Sequence, residues 1–169
     1  MAPISWTRRS YEATVLLVPL DASARDWTLE HEGDLAGITV ADRDLLAAHR
    51  RFHPQPVPAS GEGAAVSSPL DHAVHEADVV VVLTHDMANA SGSTIVEIAD
   101  AARSTGKLLG AVVVSPDARW AQPAAHRTAT TLREAADNVI ILKDSRLVPA
   151  FLQVLRGGAR DEQPAGAVG

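Results

Sequence analysis

The sequence predicts an α/β fold: one three-layer, Rossmann-like domain with a mostly parallel sheet of about five strands and helices on both faces. Three observations carry this. The candidate strands, such as Val79–Leu83, are unbroken β-branched and apolar runs without two-residue alternation, the pattern of strands buried on both faces. They alternate with segments of helical periodicity along the chain. And 169 residues, 46% of them hydrophobic, suffice for one sizeable core but not comfortably for two.

The elements follow in order. Residues 1–12 are expected to be an N-terminal extension, and residues 13–157 the domain. Ala13–Val18 ("ATVLLV") is the first strand, ended by Pro19. "DASARDWTLEHEG" reads as a short helix that Asp21 or Ser23 can cap, with Gly33 closing it. Residues 37–40, "GITV", form the second strand. "ADRDLLAAHRRF" follows as a helix with Leu45, Leu46 and Ala48 inward. Residues 53–69 carry prolines, glycines and serines and read as a long surface loop.

"LDHAVHEAD" is a short helix before the strongest strand, Val79–Leu83. Ser93–Ser104 is a helix with Ile95, Ile98, Ala99 and Ala102 on one face. "LLGAVVV" (108–114) is a strand, residues 124–136 a helix, and "NVIIL" (138–142) a strand. "SRLVPAFLQVLRGG" forms the last helix, with Pro149 tolerated in its first turn. The tail, 158–169, is expected to be disordered.

Composition narrows the function. The absence of cysteine removes disulfides, thiolate nucleophiles and the common structural zinc sites, and fits a reducing cytoplasm. Net charge is −6 with no basic block, which disfavours nucleic acid as a partner. The longest apolar runs are far too short to cross a bilayer, so no membrane association is expected. Only two of the 15 basic residues are lysines, the mark of a GC-rich bacterial genome.

The stretch "VVVVLTHDMANASGST" (79–94) runs a buried strand into a loop of small polar residues and then a helix. That is the outline of a phosphate site, since a helix N-terminus presents free N–H groups to an anion. His85 and Asp86 lie just beyond the carboxyl end of the strand, where open α/β sheets place ligand groups. With Asp21, Asn89, Ser91, Gly92 and Ser93 they make up the candidate ligand crevice. No metal site is expected: His72 and His75 share a helical face near Asp71 and Glu76, and read as a solvated surface. Trp6, Trp27 and Trp120 sit in or beside loops and would mark a partner surface if grouped.

The segment "EADVVVVLTHDMANASGSTIVEIADAARSTGKLLGAVVVSP" resembles the GTPase domain of the tubulin/FtsZ superfamily, FtsZ especially. Family members run "ADMVFVTAGMGGGTGTG", a helix ending "EIA", a strand and "KP"; Ala77-Asp78, Met87 and Glu97-Ile98-Ala99 match in order. "TTLREAADNVIILKDSRLV" is similar to "ELREHVDTLIVIPNDRLL" through Leu132-Arg133-Glu134, Asp137, Ile140-Ile141 and Asp144 to Leu147. The resemblance spans about residues 13–150, and its specific part is 76–148.

It implies a GTP site built from two glycine-rich loops, and the chain departs from both. The first loop reads "VPLDASARDW", with no glycine before Gly33 and an acid at Asp21 that would repel phosphate. The second keeps one glycine, Gly92, between Ser91 and Ser93, which replace threonines, and has Ala88-Asn89-Ala90 in place of the glycine run. Counterparts of the family's ribose-contacting acid and arginine, and of its catalytic loop, are also missing.

The expectation is a degenerate, truncated, non-hydrolysing relative without a nucleotide cofactor, GTP or GDP being disfavoured. It would act through a protein partner or as a homo-oligomer. The alternatives are a small-ligand binder or enzyme using the His85/Asp86 crevice, and a GTP-binding protein with an altered loop.

Overall fold

The computed structural model describes residues 12–41, 68–117 and 120–157. The predicted N-terminal extension up to residue 11, the helix over 42–52, the loop up to residue 67 and the tail from 158 lie outside the described residues. Five parallel strands form one sheet: β1 (Val15–Pro19), β2 (Ile38–Val40), β3 (Val79–Thr84), β4 (Leu108–Val114) and β5 (Asn138–Leu142), in spatial order β2-β1-β3-β4-β5. Helices α1 (Ala22–Glu30), α2 (Pro69–Glu76), α3 (Gly92–Ser104), α4 (Pro123–Ala135) and α5 (Leu147–Arg156) cover both faces, and a 3₁₀ turn spans Glu32–Leu35.

Burial explains the unbroken apolar strands. All five residues of β1 are buried, because neighbours flank the strand on both edges and helices pack on both faces. On one face Leu16, Val18, Val80, Val82, Leu109, Ala111 and Val113 meet Leu70 and Val74 of α2, Ile95, Ile98, Ala99 and Ala102 of α3, and Leu132 of α4. The inward stripe predicted for α3 is therefore its buried face. On the other face Val15, Leu17, Val81, Leu83, Val112 and Val114 meet Ala24 and Trp27 of α1, Leu35 of the 3₁₀ turn, and Val148 and Leu152 of α5.

Local chemistry sets the element ends. Ser68 and Asp71 form a reciprocal capping box at the start of α2, with Pro69 in its first turn. Pro149 lies in the first turn of α5, where its missing N–H costs no helical bond. Several boundaries depart from expectation: the loop expected to run to residue 69 ends before Pro69, which opens α2. Pro19 is the last residue of β1, paired in register with Leu83, rather than its terminator. Gly33 does not close α1; the helix ends at Glu30, His31 N–H bonds to Trp27 O, and Gly33 lies within the 3₁₀ turn.

Gly37, at φ 79°, turns the chain into β2 with the Arg156 guanidinium packed over its Cα, and Gly106 and Gly157, both at φ 68°, are the other positive-φ glycines among the described residues. Arg156 in turn ion-pairs with Glu12, and its carbonyl accepts from Ala13 N–H at 2.7 Å, so α5 is tied back to the start of β1.

Candidate functional site

In an open parallel sheet the ligand crevice forms where successive connections leave toward opposite faces, beyond the carboxyl ends of the strands. In this sheet that point lies between β1 and β3. The chain leaves β1 into α1 on one face, and leaves β3 into α3 on the other. Asp21 follows β1 at this point, and His85 and Asp86 follow β3.

The structure brings these three residues together through the Asp21 carboxylate. Asp21 is extended (φ −134°, ψ 170°) and caps α1, its Oδ1 accepting from Ala24 N–H at 2.9 Å. Its Oδ2 crosses to the neighbouring loop and accepts from His85 N–H at 3.0 Å and Asp86 N–H at 3.3 Å. The side chain is only 3% exposed. A carboxylate is costly to bury, and here three backbone donors and the positive end of α1 offset that cost. The negative charge that a phosphate would bring to this helix start is supplied by the chain itself.

The second loop is also internally satisfied. Asp86 turns it: Oδ1 accepts from Ala88 N–H at 3.1 Å, Oδ2 from Asn89 Nδ2 at 2.6 Å, and the main-chain carbonyl from the N–H groups of Asn89 and Ala90. Met87 and Ala90 are buried in the core beneath. Ser91 caps α3, its Oγ accepting from Thr94 N–H at 3.3 Å and Thr94 Oγ1 at 2.9 Å, and it lies 3.2 Å from Ser93 Oγ. Gly92 has ordinary helical geometry, and a Cβ there would meet nothing within 4 Å. Neither backbone strain nor crowding requires glycine at that position. The predicted residues thus form two adjoining groups, Asp21–His85–Asp86–Asn89 and Ser91–Ser93.

His85 has neighbours that the motif did not indicate. Trp27 of α1 lies between two imidazoles, with its ring centroid 4.7 Å from His31 (stacked) and 5.7 Å from His85 (tilted). His31 Nδ1 donates to Trp27 O at 2.9 Å. Ala24, Trp27 and His31 recur at helical spacing on one side of the helix that Asp21 starts, but the spacing does not say that this side meets His85. Among the described residues His85 Nε2 and Trp27 Nε1 are buried without a hydrogen-bond partner.

Burial pushes the His85 imidazole below the ordinary histidine range; nearby Asp21 opposes this and His31 adds to it. Because the fold favours neutral His85, its contribution to stability is complete above the unfolded value of about 6.5 and is lost as pH falls through the lower folded value. Urea midpoints are expected to drop between pH 7.5 and 5.5, and His85→Gln is expected to show a smaller drop. Equal drops in both proteins would contradict the assignment.

The remaining candidates lie apart. His72 and His75 are exposed, and Asp71 is engaged in the α2 cap. No group of three or more histidine or acidic side chains among the described residues is placed to hold a metal ion. Trp27 and Trp120 pack on opposite faces of the sheet, so these two do not form one surface; Trp6 lies outside the described residues. A cleft of about 690 Å³ opens on the β2 side of α1, lined by Pro19, Arg25, Leu29, Glu32, Val40 and Ala41. Neither His85 nor Trp27 lines it, so the cleft and the crevice are separate features.

No protein-family model matches the sequence, and no curated protein matches it. Among solved structures, a pilus assembly-related protein of Burkholderia pseudomallei is similar to this chain, with a TM-score of 0.42 and 14% identity, over 89% of this chain and 95% of that one. Among the described residues, no helix is long and apolar enough to cross a membrane.

Proposed function

We propose that this chain is a non-hydrolysing, FtsZ-like module that acts through protein–protein contact or self-assembly in the cytoplasm. The observation that carries this reading is the buried Asp21 carboxylate, which spans the two loops that the family resemblance matches to phosphate-binding loops. A nucleotide phosphate brought to this position would meet a like charge in a site of low dielectric, and its backbone donors are already engaged. The turn held by Asp86 and the cap formed by Ser91 support the same conclusion for the second loop. GTP binding through an altered loop is disfavoured on this ground.

The partner half of the proposal rests on apolar side chains left at the surface. Leu108, Leu147 and Val154 are 62%, 52% and 78% exposed, and Ile141 of the outer strand is 43% exposed. Light scattering over a concentration series, with and without GTP and Mg²⁺, tests both halves. Association that is indifferent to nucleotide is the expected result; association that requires GTP would overturn the reading.

A second reading, a small-ligand binder or enzyme at the strand-end crevice, is favoured by His85 Nε2 and Trp27 Nε1, two buried polar atoms without partners. A metabolite whose binding is abolished by His85→Ala would establish it in place of the first.

A further inference from the structure

We propose that the open edge of β5 pairs with β5 of a second copy of this chain, antiparallel and centred on Ile140, to give a two-fold symmetric dimer with a continuous sheet. This deepens the self-assembly reading and rests on it.

The two edges of the sheet differ. The β2 edge is a strand of three residues, Ile38–Val40. The β5 edge is five residues, Asn138-Val139-Ile140-Ile141-Leu142, with no proline and no charge within the strand. Edge strands are ordinarily protected by such residues, by bulges or by brevity, because a bare edge is a template for another chain. On its inner side β5 pairs only with β4. Among the described residues nothing pairs with its outer side.

Hydrogen-bond geometry limits the registers available. In a parallel ladder, alternate residues direct both main-chain groups to the same neighbour. Leu142 O accepts from Ser115 N–H at 2.8 Å, which assigns Asn138, Ile140 and Leu142 to the β4 side. The N–H and C=O groups of Val139 and Ile141 therefore lie on the open edge. Pairing about Ile140 sets Val139 opposite the partner's Ile141, and Ile141 opposite the partner's Val139, so that each pair exchanges both bonds.

Charge then selects among the permitted registers. Asp137 precedes the strand and Lys143 follows it, both exposed, with the Asp137 N–H donating to Leu109 O and its Oδ2 accepting from Leu109 N–H of β4, each at 2.8 Å. Pairing about Ile140 sets Asp137 opposite the partner's Lys143 at both ends of the ribbon. Shifting the centre to Val139 would put Asp137 against Ile141, and shifting it to Ile141 would put Lys143 against Val139. The strand is self-complementary in one register, as a two-fold interface requires.

The absence of cysteine makes the register directly testable. Ile140 meets its own counterpart as a non-hydrogen-bonded pair, with Cα atoms about 4.5 Å apart, within disulfide range. Ile140→Cys should form a covalent dimer under mild oxidation. Asn138→Cys, opposite the partner's Leu142, should not.

By light scattering the unmodified protein should be a dimer at tens of micromolar. Ile141→Lys should be monomeric with an unchanged circular dichroism spectrum. Lys143→Glu, which sets like charges opposite each other twice, should dissociate about fivefold more readily at low salt and less so at high salt. A wild-type protein that stays monomeric at every concentration would overturn both this interface and the self-assembly reading. Association that survives Ile141→Lys, with no cross-link at residue 140, would overturn this interface and leave the assembly reading standing.

Discussion

Asp21→Ala is expected to lower stability by about 3 kcal/mol. Loss of the helix cap accounts for about 1 kcal/mol. The remainder comes from the His85 and Asp86 N–H groups, which would lose their acceptor at a buried position, at about 1–3 kcal/mol each before any relief by entering water. For a chain of this size, that is a fall in melting temperature on the order of 10 °C. Asp21→Asn should recover only part of the loss, because its amide nitrogen cannot accept from any of the three donors. Millimolar phosphate or sulfate should stabilise Asp21→Ala more than the unmodified protein, since the freed donors then face an anion. Urea denaturation with and without the anion measures both effects. A loss under 1 kcal/mol would mean that the carboxylate does not hold the two loops together.

Leu17→Ala is the second large effect, about 3 kcal/mol within the usual 2–5 for a buried leucine. Leu17 is 0% exposed on β1, the strand held between β2 and β3, and it shares a cluster with Trp27, Leu35, Val81, Val148 and Leu152. Backbone pairing on both edges stops the strand from moving into the space left by the truncation. Leu29→Ala provides the contrast: Leu29 is 75% exposed on α1, and its loss should stay within about 0.5 kcal/mol. Comparable losses at the two positions, read from denaturation midpoints at constant m-value, would contradict the assigned core.

The fold was legible because burial on both faces of a parallel sheet leaves an unmistakable record. Val79–Leu83 carries no polar alternation, and α3 carries Ile95, Ile98, Ala99 and Ala102 at helical spacing. Boundaries were less legible. Gly33 looked like a helix terminator, yet a 3₁₀ turn continues through it and the positive-φ turn is made four residues later by Gly37. Local glycine chemistry does not say which glycine the tertiary path will use.

At the site, the sequence indicated which residues follow the strand ends, but not what their side chains bond to. Asp21 was legible as a cap and as an obstacle to phosphate. That its second oxygen reaches the amides of His85 and Asp86, 64 and 65 residues away, follows only from β1 and β3 being neighbours. Trp27 beside His85 was hidden for the same reason. The sequence places Trp27 in or beside a loop, as a partner-surface residue; it lies within α1, 6% exposed, and its neighbour depended on which strand α1 lies over.

Equilibrium binding of labelled GTP and GDP to the unmodified protein, with Mg²⁺, tests the central claim most directly. With the N–H groups of Ala24, His85 and Asp86 already engaged by the Asp21 carboxylate, no saturable binding is expected up to millimolar nucleotide, a binding free energy weaker than about −4 kcal/mol. Saturable binding at micromolar concentration would mean that the two loops open to admit a phosphate, and would contradict the account.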